Sequence, residues 1–319
     1  MRVLVTGGAG FIGSHLTDAL IARGDEVTVV DDLSAGRIGR LHQDADFHIQ
    51  DITGARQLVA LAQAVKPALI CHLAAQIDVR ASVTFPATDS KVNVTGTVNV
   101  LEAALVVGAR VLFASTGGAI YGRGVPIPSP ETAQTMPESP YGTAKFCAEQ
   151  YIGLFNRLHG TNHGILRFAN VYGPRQDPAG EGGVVGIFCS RAFGGKPVTI
   201  FGDGRQTRDF VYVADVVDAI LAAADCEKPG VWNVGTGTEV SVRRLAALVS
   251  ELSGGTTDPE FAPARPGEID RSALSAELAA RELGWRPATA LADGVAAVYH
   301  WIEAGAHDRI GTQGTALLW

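Results

Sequence analysis

The sequence predicts an α/β fold with a doubly wound parallel sheet and a smaller C-terminal lobe made of interleaved segments. Two observations indicate this fold class. Short β-branched runs alternate with amphipathic segments through the first half of the chain, and helices that follow strands in this way lie on both faces of a parallel sheet. The first β-branched run also stops at a cluster of glycines, as strands do before a tight turn into a helix.

The elements of the first half follow from hydrophobic periodicity and from helix start and stop signals. Strands are predicted at residues 3–6, 27–30, 47–50, 69–73 and 110–114. Helices are predicted from residue 11, at 55–65, at 87–107 and from residue 140, where Ser139 precedes a proline. The carboxyl ends of these parallel strands share one edge of the sheet, which is where ligands of such sheets bind.

The pattern changes after residue 171, where loops rich in glycine and proline separate shorter elements. A helix at 209–224 and a strand at 231–234 are predicted to return to the main sheet. Further helices are predicted at 241–252, 275–283 and 291–304. We therefore predict a first lobe of residues 1–170 joined by 209–235, and a second lobe of 171–208 and 236–319.

The turn after the first strand has the spacing of a dinucleotide-binding motif. The glycines in TGGAGFIG, residues 6–13, fit G-x-G-x-x-G and also the looser G-x-x-G-x-x-G. A pyrophosphate must approach the backbone closely here, which a Cβ would obstruct, and the following helix directs its N–H groups at the phosphates. This is the pattern of a Rossmann sheet. The predicted phosphate contacts are Gly7, Gly10, Phe11, Ile12 and Gly13.

Acidic residues at the end of the second strand indicate which dinucleotide binds. Asp31 lies about 20 residues beyond the glycines, where an acid binds both hydroxyls of the adenosine ribose. Asp32 adds a second carboxylate, and the first arginine that follows is Arg37. A 2′-phosphate would meet like charge here, so NAD is favoured over NADP unless Arg37 turns in. The adenine and nicotinamide ends are predicted to contact Asp51, Ile52, Leu73, Ala74 and Ala75.

Composition excludes several classes of function. The formal net charge of −7 argues against a surface that binds nucleic acid. Apolar runs are too short for a membrane span, and no charged-then-apolar leader precedes the first strand. The four cysteines are scattered, which suits reduced thiols in a cytoplasmic enzyme. His159 and His163 are four residues apart with Gly160 between them and no carboxylate, so we expect no metal site.

Tyr141 and Lys145 are candidate catalytic residues, because residues four apart share one face of a helix. A tyrosine with a pKa near ~10 is a poor base at neutral pH, and lowering that pKa by ~3 units takes roughly 4 kcal/mol. A cation at ~4 Å with an effective dielectric constant near 20 supplies about that much. Ser115 and Thr116 end the neighbouring predicted strand, on the same edge as the cofactor.

Several motifs together resemble a known family. TGGAGFIG, HLAAQ, NVTGTVNVLEAA, YGTAK, RFANVYGPRQ and GDGRQTRDFVYVADV are similar to segments of the extended short-chain dehydrogenase/reductases. More closely, they resemble the UDP-sugar 4-epimerases of the UDP-glucose/UDP-galactose type, over residues 2–301. The resemblance implies that Tyr141 is the base and that Lys145 assists it and orients the nicotinamide ribose. Ser115 or Thr116 would relay a hydrogen bond to the sugar hydroxyl.

The resemblance also implies a UDP-sugar site in the second lobe. Asn170, Arg208 and Arg265 would contact the diphosphate, and Glu268 would reach the uridine ribose. The strand at 198–201 would pass beside the uracil, and a small Ser272 would leave room for a substituent at C2 of the sugar. The predicted substrate contacts are Gln76, Asn170, Val185, Thr199, Phe201, Arg208, Arg265, Glu268 and Ser272. We further expect a homodimer.

One departure from the family pattern leaves open which hydroxyl, that of Ser115 or that of Thr116, contacts the sugar. The segment from Ser115 to Gly122 is one residue longer than in relatives, and counting along the strand favours Thr116. Glycines follow this threonine where nucleotide-sugar dehydratases carry an Asp-Glu pair, which argues against elimination. Open alternatives are a 4-epimerase of UDP-N-acetylglucosamine or UDP-glucuronate, a dehydratase or oxidoreductase of nucleotide sugars, and a non-catalytic NAD-sensing protein.

Overall fold

A computed structural model describes residues 1–177, 183–255, 258–264 and 269–305. Within these residues, a parallel sheet of seven strands forms the centre of the molecule. Its strands are β1 Arg2–Thr6, β2 Glu26–Asp31, β3 Asp46–Ile49, β4 Leu69–His72, β5 Arg110–Thr116, β6 Gly164–Phe168 and β11 Gly230–Val234. The other strands form two-stranded sheets and are β7 Asn170–Tyr172, β8 Thr199–Phe201, β9 Thr207–Arg208, β10 Phe210–Tyr212, β12 Val240–Ser241 and β13 Glu260–Ala262.

Helices cover both faces of this sheet and continue into the C-terminal part of the chain. They are α1 Phe11–Ala22, α2 Ala55–Val65, α3 Val79–Thr84, α4 Pro86–Ser90, α5 Gly96–Val107, α6 Gly117–Ile120, α7 Pro140–His159, α8 Val184–Phe193, α9 Val213–Asp225, α10 Val242–Leu252, α11 Glu277–Glu282 and α12 Leu291–Glu303. The doubly wound α/β fold predicted from the sequence is therefore confirmed.

The strand order of the main sheet is β3-β2-β1-β4-β5-β6-β11. The chain begins in the middle, proceeds to the β3 edge, and returns to place β4 on the other side of β1, with Val3 opposite Leu69. This reversal between β1 and β4 opens a crevice at the carboxyl ends of the strands, where ligands of doubly wound sheets bind. The predicted return of the 231–234 strand is confirmed, since β11 pairs with β6 in parallel.

Four hydrophobic clusters lie within the described residues, and the smallest consists of Ile120, Tyr121 and Leu274. Two lie on opposite faces of the main sheet, and one of these includes residues of α9 and β11. The third core is built by α8, α10 and α12 with the short strands β7, β8 and β10. Strands buried on both faces read as continuous apolar runs, which is why β1 and β4 were recognisable in the sequence.

Two helices differ from their predicted extents. The segment 87–107 is not one regular helix, because a π-turn at Lys91–Thr95 separates α4 from α5. There the hydroxyl of Thr97 donates to the carbonyl of Asn93 over 2.7 Å, which competes with regular helical bonding. The segment 209–224 begins with β10 rather than with helix, because Phe210–Tyr212 pairs with β7.

Three kinds of feature are absent from the described part of the chain. No helix there is both long and apolar enough to cross a membrane. The same residues contain no group of three or more His, Cys, Asp or Glu side chains arranged for a metal ion. Disulfides are also absent among them, since Cys71, Cys147, Cys189 and Cys226 all carry free thiols.

Candidate active site

The glycine turn after β1 is shaped by close approaches of the backbone. Gly7 has a φ of +72°, and a Cβ there would lie 2.6 Å from the amide nitrogen of Ala74. A Cβ on Gly13 would lie 2.1 Å from the carbonyl oxygen of Gly7. A Cβ on Gly10 would meet only that same oxygen, at 3.1 Å, so close packing alone does not require this glycine.

The N-terminus of α1 follows this turn at Phe11. Gly10 precedes the helix without a side-chain cap, and its first turn contains no acidic residue. The first N–H groups and the positive end of the helix dipole therefore point to the carboxyl edge of the sheet, where they suit an anion. Together with the turn that Gly10 keeps open, they fit a dinucleotide pyrophosphate.

Asp31 lies at the end of β2 and is 7% exposed. Its carboxylate accepts hydrogen bonds from the amides of Ala9, over 3.0 Å, and Leu33, over 2.8 Å. Burial raises the pKa of this carboxyl above its usual value, while these two amides oppose the shift. The bonds fix its orientation, and a carboxylate has further lone pairs for the hydroxyls of a ribose.

The neighbouring charges agree with a ribose without a phosphate. Asp32 is exposed and accepts from the amide and the hydroxyl of Ser34, over 2.9 and 2.6 Å. The guanidinium of Arg37 forms an ion pair with Asp177, which compensates its charge. The expected position of the adenosine ribose therefore has two carboxylates, and the guanidinium of Arg37 is already paired with Asp177.

The other predicted cofactor residues lie along the same edge of the sheet. Asp51 is exposed, and its carboxylate accepts from the amide and hydroxyl of Thr53, each over 2.8 Å. Ile52 is buried, and a Cβ on Gly96 would lie 2.6 Å from its Cδ1. The loop residues Leu73, Ala74 and Ala75 follow β4 and are half-buried.

His72, which begins the HLAAQ segment, is a buried histidine at the end of β4, directly before this loop. Nδ1 of His72 lies 2.7 Å from the Thr6 hydroxyl, and its Nε2 lies 3.0 Å from the Thr97 hydroxyl. Since Thr97 already donates to a backbone carbonyl, Nε2 of His72 must carry the hydrogen and Nδ1 must accept. Burial lowers the pKa of His72 to about 3, so the ring stays uncharged.

The α7 helix brings Tyr141 and Lys145 to the edge of β5. It begins after Ser139, whose hydroxyl oxygen accepts from the Gly142 amide over 3.1 Å, with Pro140 in its first turn. Nζ of Lys145 donates to the carbonyl of Ala114 over 2.9 Å, and the side chain is buried. Burial lowers the pKa of Lys145 to about 8, and nearby carboxylates oppose this shift.

The pKa of Tyr141 differs from our expectation. Lys145 was expected to lower it, but burial and the charge of Asp89 raise the pKa of this phenol. The physical reason is that the phenol is desolvated, while the ammonium of Lys145 is bound to a backbone carbonyl. In the protein without ligands, Tyr141 is therefore a protonated phenol.

Asp89 is a buried carboxylate that sequence reasoning missed. It is 1% exposed, and its Oδ1 accepts from Nε2 of Gln76, over 2.9 Å, and Nδ2 of Asn93, over 3.0 Å. Among the described residues, its Oδ2 has no hydrogen-bond partner. Its negative charge raises the pKa of both Tyr141 and Lys145.

This cluster also occupies Gln76, which was predicted to contact the substrate. Its amide donates to Asp89 and to the carbonyl of Asp78, and its oxygen accepts from the Asp78 amide over 2.5 Å. With both amide hydrogens and the oxygen engaged, the side chain holds the loop after β4 together. In this structure it is not available to a sugar.

The structure distinguishes the two hydroxyls that the sequence left open. Ser115 is buried and donates to Glu149 over 2.6 Å. Glu149 also forms a buried ion pair of 2.6 Å with Arg167, so Ser115 belongs to an internal network. Thr116 is half-buried and precedes α6 without a side-chain cap bond. Of the two residues, Thr116 is therefore the more accessible at the carboxyl end of β5.

The predicted substrate residues differ in their exposure, and two of them lie outside the described residues. Asn170 is exposed at the start of β7, and Arg208, on β9, donates from Nη1 to the carbonyl of Thr207 over 2.7 Å. Val185 is 1% exposed and packs in the third core, because it lies on the inner face of α8, so its side chain does not reach a ligand surface. Half-buried positions are taken by Thr199, Phe201 and Ser272. Arg265 and Glu268 lie outside the described residues.

Comparisons with known proteins identify the family of this chain. The profile of the NAD dependent epimerase/dehydratase family matches residues 3–235. A UDP-glucose 4-epimerase of Mycolicibacterium smegmatis is 46% identical over 303 residues, covering 93% of this chain and 96% of that protein.

Two solved structures are similar along nearly the whole chain. The crystal structure of a UDP-glucose 4-epimerase of Thermotoga maritima with UDP-glucose has a TM-score of 0.94 and 44% identity, covering 96% of this chain and 100% of that chain. A UDP-glucose 4-epimerase of Thermus thermophilus in complex with NAD has a TM-score of 0.89 and 40% identity, covering 95% and 99%. The chain belongs to the NAD dependent epimerase/dehydratase family.

Proposed function

We propose that this protein is an NAD-dependent 4-epimerase of a UDP-hexose, interconverting UDP-glucose and UDP-galactose through a transient 4-keto sugar. The observation that carries the proposal is the placement of Tyr141 and Lys145 on α7 beside β5, whose last residue is Thr116, at the carboxyl edge of a sheet whose glycine turn fits a dinucleotide. Relatives named for this activity support it over nearly the full length of the chain.

Each catalytic residue has a distinct task in this reaction. Thr116 holds the 4-hydroxyl of the sugar by a hydrogen bond, and Tyr141 takes its proton. When bound, NAD would accept the hydride from C4 and return it to the opposite face of the 4-keto sugar. The positive charge of an oxidised nicotinamide would offset the burial and the Asp89 charge that raise the pKa of the phenol. Lys145, bound to the Ala114 carbonyl, would orient the nicotinamide ribose. Tyr141 then returns the proton after the keto sugar has presented its other face.

The residues after Thr116 favour epimerisation over elimination. Gly117 and Gly118 begin α6 and carry no acid or base. A 4,6-elimination must remove a proton from carbon and protonate a leaving hydroxyl, which needs a second titratable pair beside C5 and C6. A dehydratase is therefore the less favoured alternative.

A direct experiment tests this proposal and the cofactor together. Purified protein is incubated with UDP-galactose without added NAD, and the sugar products are identified. We expect UDP-glucose to form, and we expect the denatured protein to release NAD, because Asp31 and Asp32 disfavour a ribose phosphate. A dehydrated keto sugar, no conversion, or mainly released NADP would contradict the proposal.

Asp89 is expected to set the pH range of the reaction. Replacing Asp89 with Asn keeps an acceptor for Gln76 and Asn93 and removes only the charge. Because that charge raises the pKa of Tyr141 and of Lys145, both limbs of the profile of kcat/KM against pH should move to lower pH, by about one unit. Glu149 and His72, the other titratable groups beside Lys145, are unchanged in this variant.

Asp78→Asn is the matched control for this shift. Asp78 is a partly exposed carboxylate on the same loop that caps α3, and asparagine caps equally well. Its pH profile should match that of the wild type. A profile of Asp89→Asn that stays in place, or moves to higher pH, would show that Asp89 does not act on the base.

The breadth of the sugar pocket is expected to depend on Ser272, which is small and half-buried. We propose that it leaves room for the substituent at C2, so that UDP-N-acetylglucosamine is accepted beside UDP-glucose. Ser272→Tyr should lower kcat/KM about tenfold or more for the N-acetylated sugar and much less for UDP-glucose, through overlap with the acetamide. An unchanged ratio of the two substrates would remove Ser272 from the pocket.

We also propose a homodimer formed by the outer faces of α5 and α7. Tyr151, Leu154 and Leu158 form an exposed apolar stripe on α7, with side chains 40%, 42% and 67% exposed. Leu105 and Val106 on the adjacent α5 extend it, and a continuous apolar surface of this kind marks an interface. Light scattering should give a dimer for the wild type and a monomer for Leu154→Glu/Leu158→Glu. A monomeric wild type would contradict the assignment.

Two organisational features complete the proposal. We propose the lobe boundaries given above, 1–170 with 209–235 and 171–208 with 236–319. The third core supports them because it draws mostly on the second lobe, although Phe210 joins it and Ala279 and Trp285 pack in a core of the main sheet. We also propose a cytoplasmic enzyme, which the four free thiols support, because reducing compartments keep cysteines unpaired.

A further inference from the structure

Residue 118 lies between the two polar groups that flank the proposed sugar position. An ideal Cβ built on Gly118 would lie 3.7 Å from Oδ1 of Asn170 and 4.0 Å from Oγ1 of Thr116. Within the described residues it would meet no other heavy atom inside 4 Å. A side chain on residue 118 would therefore project into open space at the surface of the crevice.

Neither the backbone nor the packing requires a glycine at this position. Gly118 does not have a positive φ, unlike Gly122 at +72°. The preceding Gly117 is required by packing, since a Cβ there would lie 2.3 Å from Cδ1 of Leu274. Gly118 lies inside α6, where glycine is less favourable than alanine. The backbone and the packing therefore do not explain why residue 118 is a glycine.

We propose that Gly118 is a specificity-determining residue whose missing side chain leaves the space that a hexose needs for its C6 group. This inference rests on the proposed function, in which Thr116 holds the 4-hydroxyl, and on the diphosphate contact that the family resemblance implies for Asn170. In a pyranose, the ring neighbour C5 of the reacting C4 carries CH₂OH in a hexose and only hydrogen in a pentose. That CH₂OH group lies within van der Waals reach of O4, and hence of a side chain on residue 118.

Binding to the NAD-loaded protein tests the inference without relying on turnover. Dissociation constants are measured by calorimetry for UDP, UDP-xylose and UDP-glucose, which differ in having no sugar, a pentose and a hexose. Gly118→Ala and Gly118→Val should bind UDP and UDP-xylose within about twofold of the wild type. UDP-glucose should bind more weakly, by about tenfold or more for the valine variant, since added methyl groups would occupy the space of C6.

Gly194→Ala is the matched control, because Gly194 follows α8 and an added Cβ would meet only carbonyl oxygens, at 3.5 and 3.6 Å. It should leave all three dissociation constants and the melting temperature unchanged. Equal effects of Gly118→Val on UDP-xylose and UDP-glucose, or no effect on either, would overturn the inference. Failure of the wild type to epimerise UDP-galactose would instead overturn the proposed function, so the two failures are distinguishable.

Discussion

Tyr141→Phe is expected to reduce kcat by ~100-fold or more while the protein folds and retains NAD, as removal of a general base does. Tyr141 lies in the first turn of α7, and its amide donates to the hydroxyl of Ser82 on α3 over 3.2 Å. Replacing only the hydroxyl leaves this backbone contact in place.

Steady-state kinetics with UDP-galactose and the NAD content of the purified variant provide the measurement. Tyr299→Phe is a suitable control, because Tyr299 is a half-buried tyrosine on α12 whose ring packs edge-on against Phe193, 6.3 Å between centroids. It should keep wild-type activity. If Tyr141→Phe retained activity within a few-fold of the wild type, another group would have to take the proton.

The nucleotide half of the site could be predicted from the sequence because its determinants are local. The glycines of residues 7–13 and Asp31 are separated by one helix, so their spacing along the chain determines their spacing in space. The same holds for Tyr141 and Lys145, which are one helical turn apart. For these residues, secondary structure alone brings the groups to the right edge of the sheet.

The remaining features depend on contacts between distant segments. Asp89 has no recognisable motif, and it joins the site only because α4 packs on α7 and its carboxylate binds Gln76. The choice between Ser115 and Thr116 depends on Glu149, which lies 34 residues beyond Ser115. The periodicity of the sequence does not show which side chains are already hydrogen-bonded to a distant element. The resemblance that assigned Gln76 to the substrate does not show this either.

The largest loss of stability is expected from breaking the buried pair that Glu149 forms with Arg167. The two side chains are 3% and 7% exposed, and the guanidinium also donates to the Tyr121 hydroxyl over 2.9 Å. Arg167→Met leaves the Glu149 carboxylate desolvated without its cation, which should lower the free energy of unfolding by about 3–5 kcal/mol. Urea denaturation of the wild type and variant measures this change.

A double variant separates the charge effect from lost packing. Arg167→Met/Glu149→Met removes both ions and should be more stable than Arg167→Met alone, because no unpaired charge stays buried. Arg286→Met is the control, since Arg286 and Glu277 pair over 3.4 Å at the surface with side chains 67% and 72% exposed, and such pairs contribute about 0–1 kcal/mol. If the double variant were as unstable as the sum of its single variants, the buried charges would not be coupled.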